Sequence, residues 1–177
     1  MNIVSLLDDK SIKPVEKRKE IAESIRKKLI TIKEIQKLKN ALDDKKMALV
    51  LEAMEDVSSK NPEISNKDWL KFTQEFIASK SNNIKREASR IIGNTAHLFP
   101  NDLDAVIKDI MKNTKDEGTV IRWSCAYAFA RIIQIPKYAD SKFFDVLTEL
   151  CVKEKENGVK NQLLNGLKKA KKLRGNK

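Results

Sequence analysis

The sequence predicts an all-α protein, and three observations support this prediction. Five glycines and four prolines in 177 residues supply few of the tight turns that an all-β fold needs. Apolar residues recur at the spacing of helical turns, in segments separated by short polar breaks. The breaks contain residues that begin or end helices, as in NPEISNKD at 61–68 and PKYADS at 136–141. We therefore expect about eight or nine helices joined by short connections.

The composition is that of a single globular domain. With 41% hydrophobic and 34% charged residues, a chain of this length buries one good core, so we expect one domain over residues 1–177. The start, MNIVSLLDDKS, has a short apolar run without a basic segment, unlike an export signal. No stretch approaches the roughly 18 apolar residues of a membrane helix. We expect a cytoplasmic protein that does not bind membranes.

The net charge of +11 is concentrated at the two ends of the chain. Residues 10–46 carry 13 lysines and arginines against six acids, and residues 153–177 carry nine against two. Residues 47–152 are nearly neutral, with 14 bases and 15 acids. A basic balance of this kind favours acidic partners, either proteins or nucleic acids.

One segment type repeats along the chain. IKREASRIIG from Ile84, IRWSCAYAFA from Ile121 and VKNQLLNGLK from Val159 each begin with a β-branched apolar residue followed by a base. The period is 37 or 38 residues, and a weaker copy begins at Lys46. The residues of buried type four positions later are Ala88, Cys125 and Leu163. Because a helical hairpin of this length cannot bury its apolar stripe alone, its copies are expected to stack into a solenoid.

The pattern resembles that of HEAT-like helical repeats. The residues that carry the resemblance are the pairs Ile84-Lys85, Ile121-Arg122 and Val159-Lys160, the small residues Ala88 and Cys125, and IIG at 91–93. The resemblance implies a right-handed α-solenoid of about four helical hairpins. The expected spans are a capping helix at 15–30 and repeats at about 31–60, 66–99, 101–135 and 140–173. It also implies that the second helix of each hairpin lines a concave surface, where such proteins bind their partners.

A helical rotation of 100° per residue identifies the candidate binding surface. In the segment from Ile121, it places Phe129 on the apolar face and Trp123, Ser124, Tyr127 and Arg131 on the opposite face. The candidate partner-binding residues, taken from the same side of successive repeats, are Arg86, Arg90, Asn94, Trp123, Tyr127, Arg131, Asn165 and Lys169. Trp, Tyr and Arg are enriched at binding hot spots.

Each part of this surface has an alternative interpretation that involves no partner. Trp123 and Tyr127 could fold over a neighbouring helix as packing residues. Arg86 and Arg90 could instead pair with acidic residues of the same stack, with Glu87, Asp56 or Glu52 as candidates.

The sequence shows no catalytic constellation, and we expect no enzyme activity, no metal and no cofactor. It lacks a glycine-rich phosphate loop, a nucleophile elbow and metal-ligand spacings. Cys125 and Cys151 fall in helical segments, where free thiols pack as small apolar groups. IRWSCAYAFAR is superficially similar to HEAT-like alkylpurine DNA glycosylases, in which an Asp follows a groove Trp by one helical turn. Here that position is Tyr127, which argues against glycosylase activity.

Two functions remain from the sequence. The first is a non-catalytic interaction module whose concave surface binds a protein or peptide, preferably an acidic one. The alternative is a nucleic-acid-binding protein related to DNA repair, with the basic end helices on phosphates and Trp123 or Tyr127 stacked on a base.

Overall fold

The computed structural model describes residues 2–175, and all their regular secondary structure is helical, which confirms the all-α prediction. These residues form eleven α-helices and three short 3₁₀ helices, without a strand. The α-helices are α1 (Ile3–Asp8), α2 (Pro14–Arg26), α3 (Ile32–Lys37), α4 (Asp44–Lys60), α5 (Lys67–Gln74), α6 (Asn82–Thr95), α7 (Asp104–Lys112), α8 (Thr119–Ile132), α9 (Pro136–Ala139), α10 (Phe143–Lys153) and α11 (Asn157–Gly175). The 3₁₀ helices are Pro62–Ile64, Ala96–Leu98 and Asn113–Lys115.

Side-chain caps fix where several helices begin. The Asp43 carboxylate accepts a hydrogen bond of 2.9 Å from the backbone N–H of Lys46, at the start of α4. Thr31 and Glu34 form a reciprocal capping box at the start of α3. Asn66 accepts bonds from two backbone N–H groups at the start of α5. These caps satisfy donors that have no partner inside a helix.

The predicted capping helix is shorter than expected, and a preceding helix was missed. The prediction placed this helix at 15–30, whereas α2 ends at Arg26. It ends there because Lys28 has a φ of 56°, in the left-handed region, and the N–H of Leu29 turns back to the carbonyl of Ser24. The missed helix, α1, has only six residues, too few to show a helical period.

The helices pack into two compact units, one extending to Ile91 and one beginning at Ile92, so that the boundary falls within α6. In the first unit, α2 packs on α4 and α3 packs on α5. Its core includes the fully buried Ile21, Ile35, Leu51, Met54 and Phe72. Trp69 is also buried.

In the second unit, α8 packs along α11, and α9 and α10 pack against α11. Its core includes the fully buried Leu103, Ile110, Phe129 and Ile132. The Phe129 ring meets the ring of Phe143 edge-on, with centroids 5.3 Å apart. Cys125 and Cys151 are buried free thiols, in agreement with the packing role predicted for them.

Two glycines bring α8 into close contact with its neighbours in this unit. A Cβ atom added at Gly166 of α11 would lie 2.5 Å from the Cα of Ala130. A Cβ atom added at Gly93, near the end of α6, would lie 2.9 Å from the Cα of Ala128. Real Cβ atoms do not approach backbone atoms this closely, so only glycine fits at either position with the helices where they are.

The contacts of Gly93 with Ala128 and of Gly166 with Ala130 join equivalent positions of the sequence repeat. Gly93 and Ala130 lie nine residues after Ile84 and Ile121, the first residues of two repeat copies. Their partners, Ala128 and Gly166, lie seven residues after Ile121 and Val159. Position nine of one copy thus meets position seven of the next in both cases. The sequence repeat therefore corresponds to a repeated helix–helix contact.

We expect Gly166→Ala to lower the free energy of unfolding by about 1–3 kcal/mol, because its methyl group has no space against Ala130. The matched control is Gly158→Ala in the same helix, where the nearest neighbouring atom lies 3.8 Å from the added Cβ. That change should be neutral or stabilise the protein by up to about 1 kcal/mol. Urea unfolding followed by circular dichroism measures both. Equal stabilities of the two variants would contradict the close contact.

Candidate functional site

The candidate site lies along α8, which is buried on most of its circumference. Ile121, Cys125, Ala128, Phe129 and Ile132 are all buried. Trp123, Tyr127 and Arg131, which follow one another at intervals of four residues, are half-buried. Residues at this spacing lie on one face of a helix. We call these three side chains the aromatic strip; its partial exposure agrees with the helical rotation of the sequence.

One residue predicted on the same side of α8 is not part of the strip. Ser124 is fully buried, and its hydroxyl donates a hydrogen bond of 2.8 Å to the carbonyl of Ile121. A serine can lie inside a helix core when its hydroxyl bonds to the preceding turn in this way. The helical rotation alone does not reveal this, because it gives the direction of a side chain and not what packs against it.

The three side chains of the aromatic strip contact one another. The rings of Trp123 and Tyr127 lie with their centroids 5.4 Å apart and their planes at 32°. The guanidinium carbon of Arg131 lies 3.4 Å from the centroid of the Tyr127 ring, in a cation–π arrangement. Arg131 also donates a hydrogen bond of 3.4 Å to the backbone carbonyl of Tyr127. The strip is therefore ordered by contacts within a single helix.

A neighbouring helix holds the centre of the strip in place. The Tyr127 hydroxyl donates a hydrogen bond of 2.7 Å to the side-chain oxygen of Asn94, which is itself buried. Gly93 lies beside it, and a Cβ atom there would approach the Tyr127 ring to 3.3 Å and the Arg131 side chain to 3.4 Å. The absence of a side chain at Gly93 therefore makes room for the strip. Asn94, predicted as a contact residue, anchors Tyr127 instead of facing solvent.

The other predicted residues of this unit lie on α11. Asn165 and Lys169 are exposed. Contacts of α11 with Trp123 at Gly158 and with Ala130 at Gly166 show that α11 runs parallel to α8, beside the strip. The second unit thus combines an aromatic strip on one helix with an exposed amide and an exposed lysine on the next.

Arg86 and Arg90 belong to the first unit, where both form ion pairs. Arg86 pairs with Glu87 and, at 3.5 Å, with Glu52. Arg90 pairs with Glu55 at 2.8 Å and with Glu87 at 3.1 Å. The Glu87 side chain is only 2% exposed, so it depends on these guanidinium groups for its charge to be tolerated. Both arginines therefore form ion pairs of the kind that the alternative interpretation proposed, and their side chains are 30% exposed.

Arg122 has a structural role that the sequence did not reveal. It donates hydrogen bonds of 3.1 Å to the Glu154 carboxylate and of 2.9 Å to the carbonyl of Asp116. These bonds fix the first turn of α8 to the residue that follows α10. The signal in the sequence was the base after each β-branched apolar residue, which marked the repeat without indicating a partner.

Three influences act on the pKa of Glu154. Burial acts to raise it, while backbone N–H donors of Glu156 and Lys155 and the Arg122 guanidinium act to lower it. The lowering influences prevail, so the pKa of this carboxyl lies below its ordinary value of 4.5. A carboxylate with a lowered pKa in the folded state stabilises the protein above the unfolded pKa. That contribution is lost as the pH falls through the lowered value.

We expect Glu154→Gln to reduce the free energy of unfolding at pH 7 by about 1.5–3 kcal/mol, because Arg122 loses a charged acceptor. The difference from wild type should narrow below about pH 4.5 as Glu154 becomes protonated in the unfolded and then in the folded state. Thermal unfolding of both proteins between about pH 3 and pH 7 measures this difference in stability. A difference that stays constant over this range would show that the ion pair does not contribute to stability.

We expect Tyr127→Phe to cost about 1–2 kcal/mol of stability, because the buried Asn94 oxygen loses the hydroxyl donor. The ring and its contact with Arg131 remain, so the loss isolates the hydrogen bond. Urea unfolding provides the measurement. An unchanged free energy of unfolding would mean that Asn94 does not anchor the strip.

Residues 2–175 lack two other kinds of site. In residues 2–175, no group of three or more His, Cys, Asp and Glu side chains is placed to hold a metal ion. Within the same range, no helix has the length and apolarity needed to cross a membrane.

Comparison with known proteins identifies a shared fold. No family model matches the chain, and no curated protein matches it. The structure is similar to the crystal structure of an engineered protein, with a TM-score of 0.74 and 17% sequence identity. The alignment covers 97% of this chain and 78% of that chain. At this identity the similarity concerns the fold alone.

Proposed function

We propose that this protein is a non-catalytic interaction module, built as a HEAT-like solenoid of helical hairpins, that binds an acidic protein or peptide through the aromatic strip and the adjoining face of α11. The observation that carries the proposal is the ordered array of Trp123, Tyr127 and Arg131 on α8, whose other side chains beyond its first turn are buried. A core helix has no structural need for three large half-exposed side chains in contact with one another.

Two observations support the solenoid. Each predicted repeat span contains two principal helices, for example α7 and α8 in 101–135. The close contacts at Gly93 and Gly166 recur at equivalent positions of successive copies, as stacked repeats require.

The order of the strip favours binding. Trp, Tyr and Arg contribute most of the energy at protein interfaces, where they lie in well-packed positions. Tyr127 is already fixed by Asn94 and Arg131 before any partner arrives. Less conformational entropy is therefore lost on binding than with free side chains.

The charge of α11 favours an acidic partner. This helix carries Lys160, Lys168, Lys169, Lys171, Lys172 and Arg174 and no acidic residue. All but the first are exposed, and the basic residues of the last two turns extend beyond the strip. A partner with carboxylates would be attracted to this end of the surface.

The same basic helix favours nucleic acid as a second candidate partner. Lysines without acidic neighbours on one helix suit a phosphate backbone. Stacking of a base on Tyr127 is limited, however, because Arg131 covers one face of its ring and Trp123 lies beside it. The position one turn after Trp123 holds a tyrosine bound to Asn94, where a glycosylase of the similar class has its carboxylate. Protein or peptide binding is therefore the better supported function.

The test is selection of binders from a random peptide library, followed by titration of the selected peptides with wild type and Trp123→Ala. We expect the selected peptides to be acidic and the substitution to weaken their binding by about 30-fold, as at a hot spot. Trp123→Ala should cost only about 0.5–1.5 kcal/mol of stability, since the indole is half-exposed. Phe129→Ala, in the core, should cost about 3–5 kcal/mol.

The control is Trp69→Phe, which removes the other, buried indole and should leave peptide affinity unchanged. A fluorescent single-stranded oligonucleotide is titrated in parallel at several salt concentrations. Selected peptides that bind Trp123→Ala as well as wild type would refute the proposed site. Oligonucleotide binding that is tighter than peptide binding and falls steeply with salt would favour nucleic-acid binding as the function instead.

A further inference from the structure

A second surface of the unit that begins at Ile92 is an open groove between α7 and α10, on different helices from the aromatic strip. It encloses about 400 Å³. Met111, Val146 and Leu150 form its apolar floor, and Lys108, Lys115 and Lys153 stand along its rim. We call it the lysine-rimmed groove.

The floor of the groove is apolar surface left in contact with solvent. Val146 is 44% exposed, and Met111 and Leu150 are half-buried. Val146 and Leu150 are four residues apart on α10 and so lie one above the other, about 6 Å along the helix axis. A trough between two helices with this spacing is complementary to the side-chain ridge of a third helix.

The rim is basic on the α7 side, where Lys108, Lys112 and Lys115 line the groove, whereas on the α10 side Glu149 lines it together with Lys153. Lys153 stands on α10, where it is 3.4 Å from Glu149, and a fourth lysine, Lys112, pairs with Asp109 at 2.8 Å. Lys108 attracts the Asp104 carboxylate one helical turn earlier on α7, and Lys115 follows α7. Lys108 lies on α7, and Lys115 lies seven residues later, in the 3₁₀ helix Asn113–Lys115.

We propose that the lysine-rimmed groove binds an amphipathic α-helix of a partner protein, with apolar side chains at i and i+4 on the floor and acidic side chains against the lysines. The geometry fits recognition of a helix in a groove, where anchors repeat at i, i+3 or i+4 and i+7. The rim lysines select for an acidic flank, because a basic helix would meet like charges along the α7 side of the groove.

The groove contains its own reporter. Met111 is one of four methionines. Met47 and Met54 are buried in the other unit, whereas Met111 lines the groove. Spectra of protein labelled with ¹³C at the methionine methyl groups therefore detect occupancy of the groove directly. Met111→Leu assigns the resonance.

The experiment titrates wild type with a synthetic amphipathic peptide of about 18 residues, long enough to form a helix. One face carries leucines at i and i+4, and glutamates flank it. The matched control peptide has lysine in place of each glutamate. We expect a saturable shift of the Met111 resonance with the acidic peptide and no shift with the basic one. Raising the salt concentration should weaken the binding.

Three variants locate the binding. Val146→Asp puts a charge on the exposed part of the floor and should weaken acidic-peptide binding about 30-fold, as the loss of a central anchor does. The double substitution Lys108→Glu and Lys115→Glu should reverse the preference between the two peptides. Trp123→Ala should leave the affinity unchanged, since the aromatic strip is on other helices.

Several outcomes would overturn the proposal. They are an equal response to both peptides, unchanged affinity in Val146→Asp, and loss of binding in Trp123→Ala. A Met111 shift that follows protein concentration without peptide would assign the groove to a second copy of the chain. A shift with sodium laurate but not with the acidic peptide would assign it to an anionic lipid. None of these results tests the binding of the peptides selected for the aromatic strip. The groove proposal can therefore be wrong while the proposed function is right, and the reverse.

Discussion

The close approach of α8 to its neighbours is the constraint on which the candidate site depends. Backbone atoms of α8 meet Gly93 and Gly166 at distances that leave no space for a Cβ atom. Helices that pack through ordinary side chains lie about 8–10 Å apart and can shift with their rotamers. A contact through glycine has no rotamers, so the position of α8 is determined by backbone shape. Because the aromatic strip lies on α8, its position is fixed in the same way. Gly93 also leaves the space that the ring of Tyr127 occupies.

The buried carboxylates explain why net charge alone is a poor guide to the binding surface. Glu87 in one unit and Glu154 in the other have side chains that are 2% and 7% exposed. Glu87 pairs with Arg86 and Arg90, and Glu154 pairs with Arg122, so these three guanidinium groups are engaged within the protein. Removing one member of such a pair leaves a buried charge without compensation, which is costly. The positive charge available to a partner therefore lies on exposed lysines, above all those of α11.

The spacing of apolar residues predicted the longer α-helices well, because burial follows the period of the helical turn over long segments. It placed Phe129 on the apolar face of α8 and Trp123 on the opposite face, and in the structure Phe129 is fully buried and Trp123 is half-buried. It could not identify the partners of Arg122 or Tyr127, because these pairs join residues more than 30 positions apart. The burial of Asn94 was missed for the same reason, since an amide is tolerated inside only once its partner is known. Whether the copies form a solenoid stays a prediction.

The unequal fixation of the strip suggests how it would discriminate between partners. Tyr127 is held by a hydrogen bond, a cation–π contact and the glycine that makes room for it. Trp123 touches the ring of Tyr127 at a tilt, and a Cβ atom added at Gly158 would lie at an ordinary contact distance of 3.8 Å from its indole. A rigid centre sets the geometry that any ligand must match, while a less confined indole can adjust to its shape. Selectivity would therefore arise at Tyr127 and Arg131, and most of the adaptable contact area at Trp123.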